Sequence, residues 1–214
     1  MKDKDCILLL SGGIDSTTLL ALLSKERYSI TALCFSYNQK HSIEIEYAKT
    51  NSKIYEINNI EIVELHTSSF NSSGLVSSVI ILNKYQSIKL PASQDNSYVP
   101  FRNLLFLSYA LSYAEALKIH EIYIGVNKDD AENFWDCSEP FIKIINKLAK
   151  INTDIKINAP FIKYTKSEII KLAYTLNVDL SNTISCYEPK NGKECGSCLS
   201  CVKKEVAIIK AKSN

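Results

Sequence analysis

Two groups of residues in this sequence have the types and spacing that chemistry requires. The first is the string Ser11-Gly12-Gly13-Ile14-Asp15-Ser16-Thr17-Thr18. Its glycines permit a tight turn and let backbone approach a ligand closely. A helix opening directly behind them adds unpaired N–H groups and the positive end of its dipole. Together these make an anion site suited to phosphate. The plainer alternative is a Gly-Gly turn with Asp15 or Ser16 capping the helix. The length of the string, and the apolar run from Cys6 to Leu10 just before it, favour phosphate. No Gly-Lys-Ser or Gly-Lys-Thr follows at P-loop spacing, and G-x-G-x-x-G does not occur.

The second group is Cys186-x8-Cys195-x2-Cys198-x2-Cys201. The chain has seven cysteines, and the other three, Cys6, Cys34 and Cys137, are scattered singly. In a reducing compartment such a cluster reads as a metal site before a disulfide framework. Four thiolates at this spacing can surround one tetrahedral zinc, with no open position for substrate. Gly196 falls where a turn is needed between ligands, and Lys193, Lys203 and Lys204 offset the negative charge of the thiolates. The alternative is four unrelated buried cysteines. The zinc is expected to tie the C-terminal tail to the domain and to take no part in bond making.

Elements must position both groups. The run Cys6 to Leu10 is a strand buried on both faces. Residues 16–25 form a helix with Leu19, Leu20, Leu22 and Leu23 inward. Strands follow at 29–35 and 60–65, with a helix at 43–57 between them. This βαβαβ opening implies an α/β fold with a doubly wound parallel sheet. Residues 67–97 are Ser- and Asn-rich without period, a long loop near the site. Further helices are expected at 103–119, 140–149, 165–176 and 198–210, with extended segments at 121–126 and 155–157. Thr165-Lys166-Ser167-Glu168 matches a capping box.

At 214 residues, with 46% apolar and 22% charged residues, the chain has the make-up of a soluble globular enzyme. A net charge of +2 predicts neither nucleic acid nor a membrane surface as partner. No apolar run reaches the roughly 18 residues a bilayer span needs, and the run after the charged N-terminus is too short for a signal core. A cytoplasmic protein is expected. The expected domains are residues 1–180, carrying the phosphate loop, and residues 181–214, a four-cysteine tail with a last helix.

The loop string resembles the PP-loop of the N-type ATP pyrophosphatases, whose fold is the adenine nucleotide alpha hydrolase-like sheet. That family splits ATP between its α and β phosphates and passes the adenylate to a substrate oxygen. Some PP-loop tRNA thiolases carry an iron–sulfur cluster, which keeps that alternative open for the cysteines. Further strings narrow the resemblance: Phe35-Ser36-Tyr37-Asn38-Gln39-Lys40-His41 with Glu44, Tyr98-Val99-Pro100-Phe101-Arg102-Asn103, Ile124-Gly125-Val126-Asn127 with Asp129-Asp130, Asp136-Cys137, Ala159-Pro160-Phe161-Ile162, Thr165-Lys166 and Ser185-Cys186-Tyr187. In this order they resemble the 7-cyano-7-deazaguanine synthase family of queuosine precursor biosynthesis, over nearly the whole chain.

The resemblance implies an ATP-dependent carbon–nitrogen ligase. It would adenylate 7-carboxy-7-deazaguanine, admit ammonia to form an amide, and activate that amide with a second ATP to leave the nitrile, releasing AMP and pyrophosphate. It implies magnesium with ATP, one structural zinc on Cys186, Cys195, Cys198 and Cys201, and a homodimer. Leu10 to Thr18 would hold the nucleotide, and Asp15, Arg102 and Lys166 would act in catalysis. Tyr37, Gln39, His41, Arg102, Asn103, Asp130, Asp136 and Phe141 would meet the substrate. Each has a plainer reading. Arg102 and Asn103 also suit a helix start, and His41 also suits a surface position. Asp129, Asp130 and Asp136 match either the donors of a guanine-like edge or a solvated loop. Lys166 can reach phosphate or belong to the cap. Phe134, Trp135 and Phe141 can stack on a base or fill the core.

Two positions depart from the family's pattern: Asn38 stands where the family has glycine, and Ser138 where it has arginine. An arginine there could pair with the substrate carboxylate. Three other readings follow. One is a related PP-loop enzyme that adenylates a different carboxylate or couples a deazaguanine to another acceptor. Another is a tRNA sulfur or amine transferase, against which the near-neutral compact chain argues. The last is a non-catalytic nucleotide-binding zinc module.

Overall fold

The apolar run behind Lys4 becomes strand β1, Asp5–Leu9, and three of its residues, Cys6, Ile7 and Leu8, have no exposed surface at all. The computed structural model describes residues 4–37, 43–65, 70, 98–186, 189–190 and 193–213. Strands β2 (Ser29–Ser36), β3 (Asn59–Glu64), β4 (Glu121–Tyr123) and β5 (Lys156–Asn158) complete one sheet in the order β3-β2-β1-β4-β5. Every pairing is parallel, with Ile7 beside Thr31 on one side and beside Ile122 on the other.

Side-chain alternation in β1 splits the core in two. Ile7 and Leu9 pack with Leu107, Ala110 and Ala114 of α3 (Arg102–Leu117) and with Phe141, Ile142 and Ile145 of α5 (Glu139–Ala149). Cys6 and Leu8 face the other layer. There they meet α1 (Ile14–Lys25), α2 (Ile43–Ile54), α6 (Lys166–Thr175) and α7 (Leu199–Lys212). A short helix α4 (Lys128–Ala131) and a 3-10 turn (Trp135–Cys137) lie between β4 and α5. The doubly wound parallel sheet expected from sequence is therefore the fold.

The chain order reverses beside β1, whose neighbours are β2 and β4. In open parallel sheets a crevice forms at such a point, outside the carboxyl ends of the strands. The glycine string leaves β1 at this place. Helix α1 begins at Ile14, two residues before the sequence reading, because Gly13 is extended (φ −77°, ψ 166°) and serves as its N-cap. The polar stretch after β4 holds α4, and the capping box at Thr165 is present in full. Most of the loop expected at 67–97 lies outside the described residues. Among the described residues, no helix is long and apolar enough to cross a membrane.

Candidate active site

The glycine string forms the floor of a cleft of about 300 Å³, lined also by the ends of β2 and β4. Gly12 has φ +77°, and a Cβ there would lie 2.5 Å from the Glu44 carbonyl oxygen and 2.9 Å from the Ala48 nitrogen. Only glycine lets α2 close on the loop in this way. Among the described residues, no side chain caps α1. Asp15 and Ser16 are thus not its N-caps, and the first N–H groups of the helix are left for a ligand. Ser16 Oγ instead braces the loop, donating to Gly13 O (3.2 Å) and accepting from Ser11 N (3.2 Å). Leu10, Ser11, Gly13, Ile14, Asp15 and Ser16 line the cleft. Gly12 does not line it, and neither do Thr17 and Thr18: helical period turns both threonines into the interior, where Thr18 Oγ1 donates to Ile14 O.

One wall is a charge network on Asp15. Asp15 Oδ2 accepts from Lys166 Nζ (2.6 Å) and from Asn127 Nδ2 (2.8 Å). The same Asn127 nitrogen donates to Asp130 Oδ2 at 2.7 Å, while Asn127 Oδ1 accepts from the Asp130 N–H and caps α4. Lys166 opens α6, where its own N–H donates to Asp129 Oδ2. Burial disfavours its charge, but Asp15 and Asp130 outweigh that and hold its pKa above the usual value. Burial raises the Asp130 carboxyl, against the pull of Lys166. Asp15 Oδ1 is buried and accepts no hydrogen bond among the described residues. Asn127, with no exposed surface, links the two acids, although the sequence reading gave it no role. Its signal was the Asn-x-x-Asp spacing of a helix cap.

Tyr37, Glu44, Arg102 and Phe134 also line the cleft. Arg102 Nη1 donates to Tyr37 Oη at 3.3 Å. Burial opposes the charge of Arg102, yet Tyr37, Cys137 and Asp136 nearby keep it firmly protonated. Burial pushes Glu44 up to about 7, although Arg102 pulls the other way. Sequence reading named Glu44 without a role, and only the fold shows it facing Arg102.

Asn103 and Asp136 spend their hydrogen bonds on each other. Asp136 Oδ2 accepts from the Asn103 N–H (3.1 Å), and Asn103 Nδ2 donates to Asp136 O (3.0 Å) and Cys137 Sγ (3.3 Å). Asp136 therefore caps α3 from afar and, unlike Asn103, does not line the cleft. Phe141 is a core residue, edge-on to Trp135 at 5.3 Å, and is also away from the cleft. Ser138 is the N-cap of α5, with its Oγ accepting from Phe141 N. Gln39 and His41 lie outside the described residues.

Beyond the loop, Cys186, Cys195, Cys198 and Cys201 converge, with their Sγ atoms all within 4.8 Å of one another. Cys195 and Cys201, and Cys186 and Cys198, stand 4.0 Å apart. Four sulfurs around one zinc at about 2.3 Å would be about 3.8 Å apart, so the spacing fits a tetrahedral metal. The Cys195 N–H donates to Cys186 Sγ and the Cys198 N–H to Cys195 Sγ, contacts that stabilise thiolates. The N–H groups of Ser197 and Cys198 draw the Cys195 thiol down to about 6. Gly196 has φ +73°, the turn expected between ligands. Lys204 is not directed at the sulfurs: its Nζ sits 3.0 Å from both Glu194 oxygens.

A glycine loop with an open helix N-terminus behind it, at the switch point of this sheet, is the arrangement of a phosphate- or nucleotide-binding α/β protein. Solved structures agree on the fold. A U34-tRNA thiolase, NcsA from Methanococcus maripaludis, matches 99% of this chain and 67% of its own (TM-score 0.53, 19% identity). NMN synthetase from Francisella tularensis matches 98% and 77% (TM-score 0.52, 17% identity). The family model described as Queuosine biosynthesis protein QueC matches residues 5–212. The relative named 7-cyano-7-deazaguanine synthase in Rickettsia conorii is 40% identical over 208 residues, 93% of this chain and 91% of that one. Its counterpart in Rickettsia bellii is 38% identical over 203 residues, 92% and 90%. The chain belongs to the QueC family, and it is an enzyme of the ligase type in the PP-loop class.

Proposed function

We propose that the chain converts 7-carboxy-7-deazaguanine, ammonia and ATP to 7-cyano-7-deazaguanine, with AMP and pyrophosphate as the other products. The observation that carries the ATP half is the N-terminus of α1, without a side-chain cap among the described residues and lining the same cleft as Lys166 and Arg102. Its N–H groups and dipole receive phosphate, and Lys166 neutralises the departing pyrophosphate. The relatives' name supplies the acceptor. A carboxylate conjugated to an electron-rich ring resists ammonia. Transfer of the adenylate to its oxygen supplies a leaving group, and ammonia then displaces AMP. The amide oxygen is activated in the same way, and loss of its adenylate leaves the nitrile. Arg102, backed by Tyr37, holds the acid, and Phe134 covers the flat ring.

Asp15 and Asp130, with the unpartnered Asp15 Oδ1, fit a magnesium ion that accompanies ATP and offsets charge on its phosphates. The thiolate set fits one zinc, which holds residues 181–214 as an appendage of the loop domain, residues 1–180. Location in the cytoplasm and pairing as a homodimer belong to the same reading.

Purified protein, incubated with ATP, magnesium, ammonium and the deazaguanine acid, should yield nitrile and AMP by mass spectrometry. Absence of AMP under all such conditions would sink the reading. One residue favours a second reading: Ser138 is committed to capping α5 and offers the acid no cation. AMP release with other carboxylates, without nitrile, would select it. Metal analysis should return about one zinc per chain. A brown protein rich in iron and sulfide would replace zinc by a cluster.

A further inference from the structure

The four residues before and including the first cysteine ligand are tied at every step. Lys204 Nζ reaches Thr183 O at 3.5 Å. The Ile184 N–H donates to the Gly12 carbonyl at 3.1 Å. The Ser185 N–H donates to Glu194 Oε1 at 2.8 Å, and that carboxylate is clamped by Lys204. Cys186 enters the sulfur cluster. The segment also passes beside the loop's second glycine, where a Cβ would stand in ordinary contact with Ile184 O at 3.5 Å. Ile184, Ser185 and Cys186 then line the cleft itself. The segment spans from the metal cluster to the floor of the phosphate site without a free joint.

We propose that residues 183–186 are a strap that positions the phosphate loop, so that metal in the cysteine cluster governs affinity for nucleotide. The hydrogen bond to Gly12 orients the peptide between Gly12 and Gly13, next to the open N-terminus of α1. With the cluster metal bound, Cys186 is fixed and the strap holds that peptide in place. With the metal removed, the strap loses its outer anchor and the loop must be ordered at the expense of binding energy. The cluster is then more than a tether for the tail, which is all that the sequence led one to expect. The inference rests on the reading that the loop binds ATP phosphates.

The substitution Ile184→Pro removes the one N–H that reaches Gly12 and leaves all four cysteines in place; it also takes a buried side chain from beside Cys186 and Cys201, so zinc content and melting temperature are the controls. Thr183 is already extended (φ −124°, ψ 148°), as a residue before proline must be. Binding of a non-hydrolysable ATP analogue with magnesium is measured by calorimetry, with zinc content and melting temperature measured alongside. The variant should keep its zinc and bind the analogue roughly 3- to 10-fold more weakly, the range of one net hydrogen bond. Wild-type protein stripped of metal should bind at least about tenfold more weakly, and recover on addition of zinc. Lys204→Met, which frees Glu194 and Thr183 together, is the second variant and should weaken binding in the same direction. If the wild type binds the analogue and both variants and the stripped protein bind it equally well, the strap has no such role. If the wild type itself does not bind, the ATP reading fails instead.

Discussion

Adding a single methyl group at Gly12 or at Gly13 should separate the two glycines of the loop. At Gly12 a Cβ would stand 2.5 Å from Glu44 O and 2.9 Å from both Ala48 N and Tyr47 Cβ, with φ at +77°. The left-handed backbone costs alanine roughly 1–2 kcal/mol. Forcing the loop off α2 adds about 1–3 kcal/mol, the usual cost of overpacking. Gly12→Ala should therefore lose about 2–5 kcal/mol, a large part of the roughly 5–15 kcal/mol that holds a domain together. At Gly13 the nearest atoms to a Cβ are Ser11 Oγ at 3.4 Å and Ile184 O at 3.5 Å, and φ is −77°. Gly13→Ala should stay within about 0.5 kcal/mol of wild type, as surface substitutions do. Urea unfolding with a common slope measures both. For a chain of this size the Gly12 variant should melt about 4–20 °C lower. Equal stability of the two variants would refute the account of how the loop is packed.

Lys166→Met leaves Asp15 and Asp130 partly buried without their cation and should cost about 3 kcal/mol in urea unfolding. Asp15→Asn in the same chain should restore part of that, and failure to do so would remove the pair from the stability account. Glu44 should titrate near 7 by carboxyl-carbon NMR, since burial pushes it to that value. Its folded pKa lies above its unfolded one, so its contribution to stability is complete below about pH 4.5 and is lost as pH rises through 7. That contribution is at most about 3 kcal/mol, and Glu44→Gln should be the more stable protein at pH 8. Asn103→Ala should cost about 2 kcal/mol, because the buried Asp136 carbonyl loses its donor. A thermal melt that does not move would count against a bracing role for the Asn103 side-chain amide.

The sheet and the loop were legible because both are local. Continuous apolar runs mark β1 and β2, and the glycines mark the turn between β1 and α1. The capping box at Thr165 and the sulfur spacing are equally short-range signals. Helix ends moved by one to three residues where caps lie in unusual places, as at Gly13. What periodicity cannot carry is contact between distant segments. Asn103 meets Asp136 across 33 positions, a pairing that braces the start of α3 and that no local pattern announces. Phe141 reads equally as a stacking ring or a core ring until β5 and α5 are packed. Thr17 and Thr18 belong to the motif by sequence, yet the rotation of the helix turns them away from the cleft. Lys166 and Asp15 stand 151 positions apart, and their ion pair depends on α6 packing against α1.

Gly125 has a consequence for how the enzyme chooses among substrates. A Cβ at that position would lie 3.0 Å from Ser16 N and 3.2 Å from the Asp15 carbonyl carbon. With Gly13, it lays bare main chain along part of the cleft. Such a surface senses size and charge, and it has little means to tell one acid from another. Under the proposed function, selectivity falls to side chains that line the cleft, among them Tyr37, Glu44, Arg102 and Phe134. A new acceptor could be accommodated by redrawing those four, with the machinery beneath them left as it stands.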